Sequence, residues 1–244
     1  MTANLEDFEF TALQNAVNYR SALLAEFQPY LFGCVLEVGA GIGQLSETLL
    51  QKPEIERFLS LEPNPRFASR LRVKFPRLEL IQGTIDDVPA ALAPDAILSV
   101  NVLEHIAADE RELGRYREHL GQRRGTLCLF VPARPEIFGP IDRDFGHFRR
   151  YSRPELRTKL EKAGFAIRRL VYFNLLGYFA WGWNFHLLKK RKFAGRQVKL
   201  FDRWIFPLQH RFEAHVLRPP IGMSLLAVAA ADGSRPSPRR DPGT

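Results

Sequence analysis

"LEVGAGIGQLS", Leu36 to Ser46, is an apolar run that breaks into alternating glycines and then resumes with helix-forming residues. Such a run reads as a strand buried on both faces that hands over to a helix start, the place where a doubly wound sheet binds its ligand. Gly39, Gly41 and Gly43 let the backbone turn sharply and bring its amides close to that ligand. The spacing excludes two nucleotide-binding patterns. A dinucleotide fingerprint needs its third glycine at position 44, where Gln44 stands, and a P-loop needs a lysine that does not follow. Glu37, two residues before the first glycine, would face a phosphate badly, but it suits a ligand carrying an ammonium or a sulfonium.

Outward from this turn the chain alternates short apolar runs with amphipathic ones. Strands are expected at "CVLEVG" (34–39), "FLSLEP" (58–63), "LELIQG" (78–83), "AILSVN" (96–101) and "TLCLFVP" (126–132). Helical patterns lie between them at "GQLSETLLQK", "PRFASRLRVKF" and "ADERELGRYREHL", with a short turn near Val88 to Leu92. That alternation predicts an α/β, Rossmann-like, doubly wound and mostly parallel sheet, seven-stranded with helices on both faces. After a loop from Ala133 to Tyr151, Ser152 and Glu155 have capping-box spacing and Gly164 closes the helix they start. "FAIRRLVYF" and "MSLLAVAA" (223–230) read as the last strands, separated by about 50 residues where a hairpin needs only about two to five. Glu62 ends the second strand, where a carboxylate can accept both hydroxyls of a ribose.

The chain has 244 residues, enough for one α/β domain with an elaboration. We expect a single domain over 1–231, with an N-terminal helical cap (1–32), a helical aromatic insertion before the last strand (175–222), and a disordered tail over 232–244. Cys34 and Cys128, its two cysteines, sit in strand-like runs as small hydrophobes, so neither a disulfide nor a metal site is expected from them. No secretory leader pattern opens the chain and no apolar run has the length of a bilayer span, so a cytoplasmic placement is expected. The formal charge of +8 fits an anionic membrane surface, an anionic substrate or nucleic acid, or simply arginine-rich loops and tail.

These motifs resemble the class I S-adenosylmethionine-dependent methyltransferases over about residues 30 to 231. "VLEVGAGIGQLS" is similar to their first motif, "LEPNP" to the acidic end of strand two, and "AILSVNVLEHI" to the fourth-strand segment. The resemblance implies S-adenosylmethionine as cofactor, with Gly39, Ala40, Gly41 and Gly43 along its methionine moiety, Glu37 near its ammonium, and Glu62 on its ribose. Asn101 would also belong to that site. "QGTIDDVP" falls where the adenine contact belongs, yet Gly83 is followed by Thr84 rather than Asp, which leaves that contact open among Thr84, Ile85 and Asp86.

Methyl transfer from a sulfonium is an in-line displacement that needs positioning and, for a hydroxyl acceptor, a base. His105, after the fourth strand, and His147, in the loop after the fifth, are the candidate catalytic bases. Some members of the family hold a divalent ion with E-x-x-E-H and a later histidine. Here the first position is Asn101, ahead of Glu104 and His105, so no metal is expected. Arg149, Arg150 and Tyr151 are candidate substrate contacts, since paired arginines suit a phosphate or carboxylate. Tyr178 and Trp181 join them from an aromatic stretch (172–185) that is followed by the basic run Lys189–Lys192. Beyond it, "VKLFDRWIFPLQHRFEAHV" reads as an amphipathic helix with Leu200, Trp204, Leu208 and Phe212 on one side and a kink at Pro207.

The aromatic and basic insertion has three readings: a lid over a hydrophobic pocket, a peripheral membrane contact through 175–212, or a homodimer interface. Nucleic acid ranks below these because no RNA-binding module accompanies the basic residues. The expected activity is methyl transfer to oxygen, less readily to nitrogen, of a small or lipid- or glycan-linked acceptor. The rivals are a methyltransferase-like scaffold without turnover and a nicotinamide-dependent oxidoreductase.

Overall fold

The computed structural model describes residues 16–187, 195–215 and 219–231. The tail from 232, the first half of the expected N-terminal cap and the Lys189–Lys192 run lie outside the described residues. The chain enters through α1 (Val17–Phe27) and a 3₁₀ turn opened by Pro29 within Gln28–Tyr30. It then lays down β1 (Gly33–Val38), β2 (Ile55–Leu61), β3 (Glu79–Ile81), β4 (Ala96–Val100), β5 (Thr126–Pro132), β6 (Ala166–Phe173) and β7 (Ser224–Ala230).

These seven strands form one sheet in the order β3-β2-β1-β4-β5-β7-β6. β1 pairs in parallel with β2 and β4, β2 with β3, and β4 with β5. β7 runs antiparallel to both β5 and β6, so β6 points the same way as β1 to β5. The chain therefore leaves β6 and enters β7 at the edge where β1 to β5 end. The glycine turn, the loops after β4 and β5, and the insertion all gather there.

Alternation within the strands divides the core between two faces. Leu36, Leu127 and Leu129 pack with Leu113 and Tyr116 of α4 (Asp109–Gly121) and with Leu156 and Leu160 of α6 (Arg153–Lys162). Val35, Cys128 and Phe130 pack on the other side with Leu23 and Phe27 of α1. Neither cysteine is in a disulfide, and burial pushes the Cys128 thiol well up, as for a small core hydrophobe.

Three local expectations change. The helix expected over 43–52 shrinks to α2 (Ser46–Leu49), because the glycine turn runs on through residue 45 and Pro53 lies just ahead. The turn expected near Val88 to Leu92 is present, with the Leu92 amide on the Pro89 carbonyl at 2.8 Å, but it is preceded by a 3₁₀ turn over Ile85–Asp87. There Thr84 and Asp87 cap one another, and the Asp87 carboxylate accepts from the Thr84 amide at 2.7 Å. In the insertion, Pro207 does not kink a plain helix. A π turn (Phe201–Ile205) separates α8 (Gly195–Leu200) from α9 (Phe206–His215), just where Pro207 cannot donate to the carbonyl of residue 203. The expected "PRFASRLRVKF" helix forms as α3 (Pro65–Lys74), the Ser152–Glu155 capping box forms as its spacing predicts, and Gly164 follows α6 at φ +84°.

Candidate functional site

The turn after β1 is built by conformations that only glycine adopts without strain. Gly39, Gly41 and Gly43 have φ of 75°, 57° and 77°. At Gly39 a side chain is also excluded by space, since a Cβ there would lie 2.4 Å from Cγ2 of Val102. The Gly39 and Ala40 amides donate to the Leu61 carbonyl at 2.8 and 3.1 Å, which ties the turn to the end of β2.

Glu62 completes that tie. Its Oε2 accepts from the Gly41 amide at 2.7 Å and its Oε1 from the Asn64 amide at 2.8 Å, in a nearly buried position. Glu37 is buried too. Its Oε2 takes hydrogen bonds from Ser46 Oγ (2.5 Å) and Ser60 Oγ (2.7 Å). Burial raises the Glu37 carboxyl, and the two hydroxyls offset only part of that rise. Asn101 turns the chain out of β4 in a left-handed conformation, φ 53°, with its amide on the Phe130 carbonyl at 2.9 Å.

Among the three open adenine positions, Ile85 is core and Asp86 lies in ion pairs with Arg111 (2.7 Å) and Arg115 (2.8 Å). Thr84 is exposed and caps the 3₁₀ turn.

The two histidines converge. The rings of His105 and His147 stand edge to face with centroids 4.6 Å apart. His105 closes the 3₁₀ turn Leu103–His105 after β4, while His147 follows the short α5 (Pro140–Asp144). The Phe148 amide, donating to the Glu104 carbonyl at 2.8 Å, holds the two loops together. Burial and the neighbouring His147 lower His105 to about 4, so its imidazole is neutral at pH 7. His147 is held by Asp142, whose backbone carbonyl accepts from the His147 amide at 2.9 Å and whose Oδ1 lies 3.3 Å from Nδ1. Burial alone would raise the Asp142 carboxyl, but His147, Arg150 and the Gly139 amide together hold it below its ordinary range.

Glu104, His105 and His147 also bring one potential ligand atom each within 4.8 Å of one another.

Each expected substrate contact has partners within the protein. Arg150 is almost wholly buried. It donates from Nε and Nη2 to Asp142 Oδ1 at 2.8 and 2.7 Å and from Nη1 to the Ala133 carbonyl at 3.2 Å, so its charge serves the loop. Tyr151 is fully buried, its hydroxyl donating to Asp109 at 2.9 Å. Arg149 pairs with the same Asp109 at 2.7 Å. Trp181, at the end of α7 (Leu175–Trp181), is buried against Ile137 and Ile141 under the Arg150 guanidinium, 4.6 Å from its ring centroid. Tyr178 is half-buried with its hydroxyl near Glu136. Paired arginines in a loop carry no sign of which carboxylates will claim them, and Asp142 and Asp109 claim these. Phe148, 58% exposed between His147 and Arg149, is the apolar side chain that this loop leaves open.

Residues 35–122 match the family model described as a methyltransferase domain. No curated protein matches the chain. Among solved structures it is similar to a chain of the Haloferax volcanii complex containing the Trm112 methyltransferase activator, at 18% identity over 90% of this chain and 91% of that one, TM-score 0.61. It is similar too to an S-adenosylmethionine-dependent methyltransferase from Mesorhizobium loti, at 16% identity over 88% and 98%, TM-score 0.57. A third, from Archaeoglobus fulgidus, shares 15% identity over 85% and 90%, TM-score 0.54. At such identities the likeness is one of fold. Sheet order and glycine turn together give the chain the fold of the class I S-adenosylmethionine-dependent methyltransferases, and the family match lies within it.

Proposed function

We propose that the chain transfers a methyl group from S-adenosylmethionine to a hydroxyl oxygen of a small or lipid- or glycan-linked acceptor. The observation that carries the oxygen assignment is the His105–His147 pair beside the glycine turn's edge of the sheet, with Asp142 on Nδ1 of His147. A hydroxyl gains from a base during transfer, whereas an amine needs only to be neutral.

The residues present fit the donor. Side-chain-free glycines open the turn, and Glu62 offers acceptors toward a diol. Glu37 offers a carboxylate in a low-dielectric site toward an ammonium. When bound, the donor supplies an electrophilic methyl on a positively charged sulfur.

Asp142 accepts from Nδ1–H of His147 and so leaves Nε2 with the lone pair. That nitrogen is buried and has no hydrogen-bond partner among the described residues. His147 Nε2 would take the proton that the acceptor hydroxyl gives up during transfer, a role worth about 10²–10⁴-fold. Neutral His105 packs against the ring and keeps a second positive charge out. Positioning of acceptor and methyl contributes most of the remaining acceleration.

Titration calorimetry with S-adenosylmethionine and its demethylated product tests the donor site. Labelled methyl transfer into fractionated cell extract tests the acceptor. Binding of neither cofactor form overturns the donor reading. Label confined to amine products overturns the oxygen assignment, and label absent from organic-phase and glycan fractions overturns the acceptor class. His147→Gln should keep cofactor binding and lose about 10²-fold or more in transfer.

A further inference from the structure

The segment 198–213 is turned inside out relative to an ordinary surface helix. Its two acidic residues face inward and cap other helices. Asp202 accepts from the amides of Asn18 (2.9 Å) and Tyr19 (2.8 Å) at the start of α1. Glu213 accepts from those of Asn174 (3.2 Å) and Leu175 (2.8 Å) at the start of α7. These polar anchors, with Phe206 between them, fix which side of the segment is buried.

The outward side is apolar. Leu200 and Trp204 are each 62% exposed, Leu208 69% and Phe212 51%, one residue every four along the axis. The charged residues interleaved with them are all cationic: Lys199, Arg203 and Arg211 are exposed, and none is in an ion pair among the described residues. The Arg203 guanidinium lies over the Trp204 ring, 5.3 Å from its centroid, so charge and indole present one amphipathic surface. A contiguous apolar row of this kind marks an interaction site. The segment lies in the β6–β7 connection, at the edge of the sheet where β1 to β5 end.

We infer that this face docks the protein on an anionic phospholipid surface, with Trp204, Leu208 and their neighbours entering the headgroup boundary while Lys199, Arg203 and Arg211 meet lipid phosphates. Charge complementarity selects this occupant. A two-fold contact with a second copy would bring identical cationic rows together, since an isologous interface pairs a patch with itself, and the chain already carries a formal charge of +8. A lipid surface instead supplies both the apolar layer and the negative potential. No helix among the described residues is long and apolar enough to cross a membrane, so the contact is peripheral.

The surface stands independently of the proposed reaction, because docking is read without donor or acceptor. The test is co-sedimentation of the full chain with phosphatidylcholine vesicles with and without phosphatidylglycerol. Binding should require the anionic lipid and weaken as salt rises. Trp204→Ala/Leu208→Ser should weaken it by about tenfold or more, given the apolar area lost. Arg203→Glu/Arg211→Glu should do the same at low salt. All four side chains are exposed, and unchanged circular dichroism verifies folding. Three outcomes overturn the inference: no binding to phosphatidylglycerol vesicles, binding indifferent to both variants, or a dimer in light scattering that Trp204→Ala/Leu208→Ser dissociates.

Discussion

Nδ1 of His147 lies 3.3 Å from Oδ1 of Asp142, and the same carboxylate oxygen lies 2.7 Å from Nη2 of Arg150. One buried oxygen thus orients an imidazole and neutralises a guanidinium. Arg150 in turn lies over the Trp181 ring, so His147 and Trp181 of the insertion are linked through one carboxylate and one guanidinium.

Two roles for Asp142 separate by substitution. Asp142→Asn leaves the Arg150 charge buried without its counter-ion and should cost about 3–5 kcal/mol of stability. Asp142→Asn/Arg150→Met removes both charges and should recover most of that loss in chemical denaturation. It should not recover methyl transfer, which depends on the carboxylate to stabilise His147 as it takes a proton. If the double variant regains both, Asp142 is structural only.

Glu62 makes a different kind of prediction. Both of its oxygens already accept backbone amides, at 2.7 and 2.8 Å. In Glu62→Gln one of those amides must face an NH₂ donor, and the anionic acceptor for a diol is gone. Affinity for S-adenosylmethionine should fall by about 1.5–3 kcal/mol, or roughly 10–150-fold, in titration calorimetry. An unchanged affinity would remove Glu62 from the ribose site.

The sequence made the sheet legible because its strands are buried on both faces and read as unbroken apolar runs, "TLCLFVP" matching β5 residue for residue. The glycine turn and Glu62 were legible for a related reason: positive-φ backbone and a carboxylate at a strand end have few alternative explanations. The loop after β5 was not. Arg149, Arg150 and Tyr151 look like ligand contacts until Asp109 and Asp142 are placed beside them, and those pairings span 8 to 42 residues of chain. Asp142 left one sequence signal, an acid five residues ahead of a histidine, and that spacing is too common to single it out. The fourfold apolar spacing of the insertion was visible, but only Asp202 and Glu213, fixed inward by helix starts at 18 and 174, reveal that the apolar side is the outer one.

Gly39 combines backbone strain with crowding. Gly39→Ala adds a Cβ at φ 75°, 2.4 Å from Val102 Cγ2. The expected loss is about 1–3 kcal/mol, with cofactor binding weakened alongside because the turn must shift. Gly39→Ala/Val102→Ala relieves the clash but not the dihedral, so a double-mutant cycle should return part of the loss and leave about 1–2 kcal/mol. Full recovery would mean that crowding alone required glycine there.

His105 gives the pH dependence its sign. Its folded value, about 4, lies below its ordinary value of 6.5, chiefly through burial and then through His147. Between those limits the unfolded chain binds the extra proton and the folded one does not. The stability that His105 contributes is therefore complete above 6.5 and is lost as pH falls toward 4, by at most about 1.4 kcal/mol per pH unit. Denaturation midpoints measured from pH 7 down to pH 4 should fall more steeply for the natural chain than for His105→Gln, which cannot take up that proton. Parallel midpoints in the two proteins would mean that His105 is protonated in the folded state and that the neutral pair is the wrong description of the site.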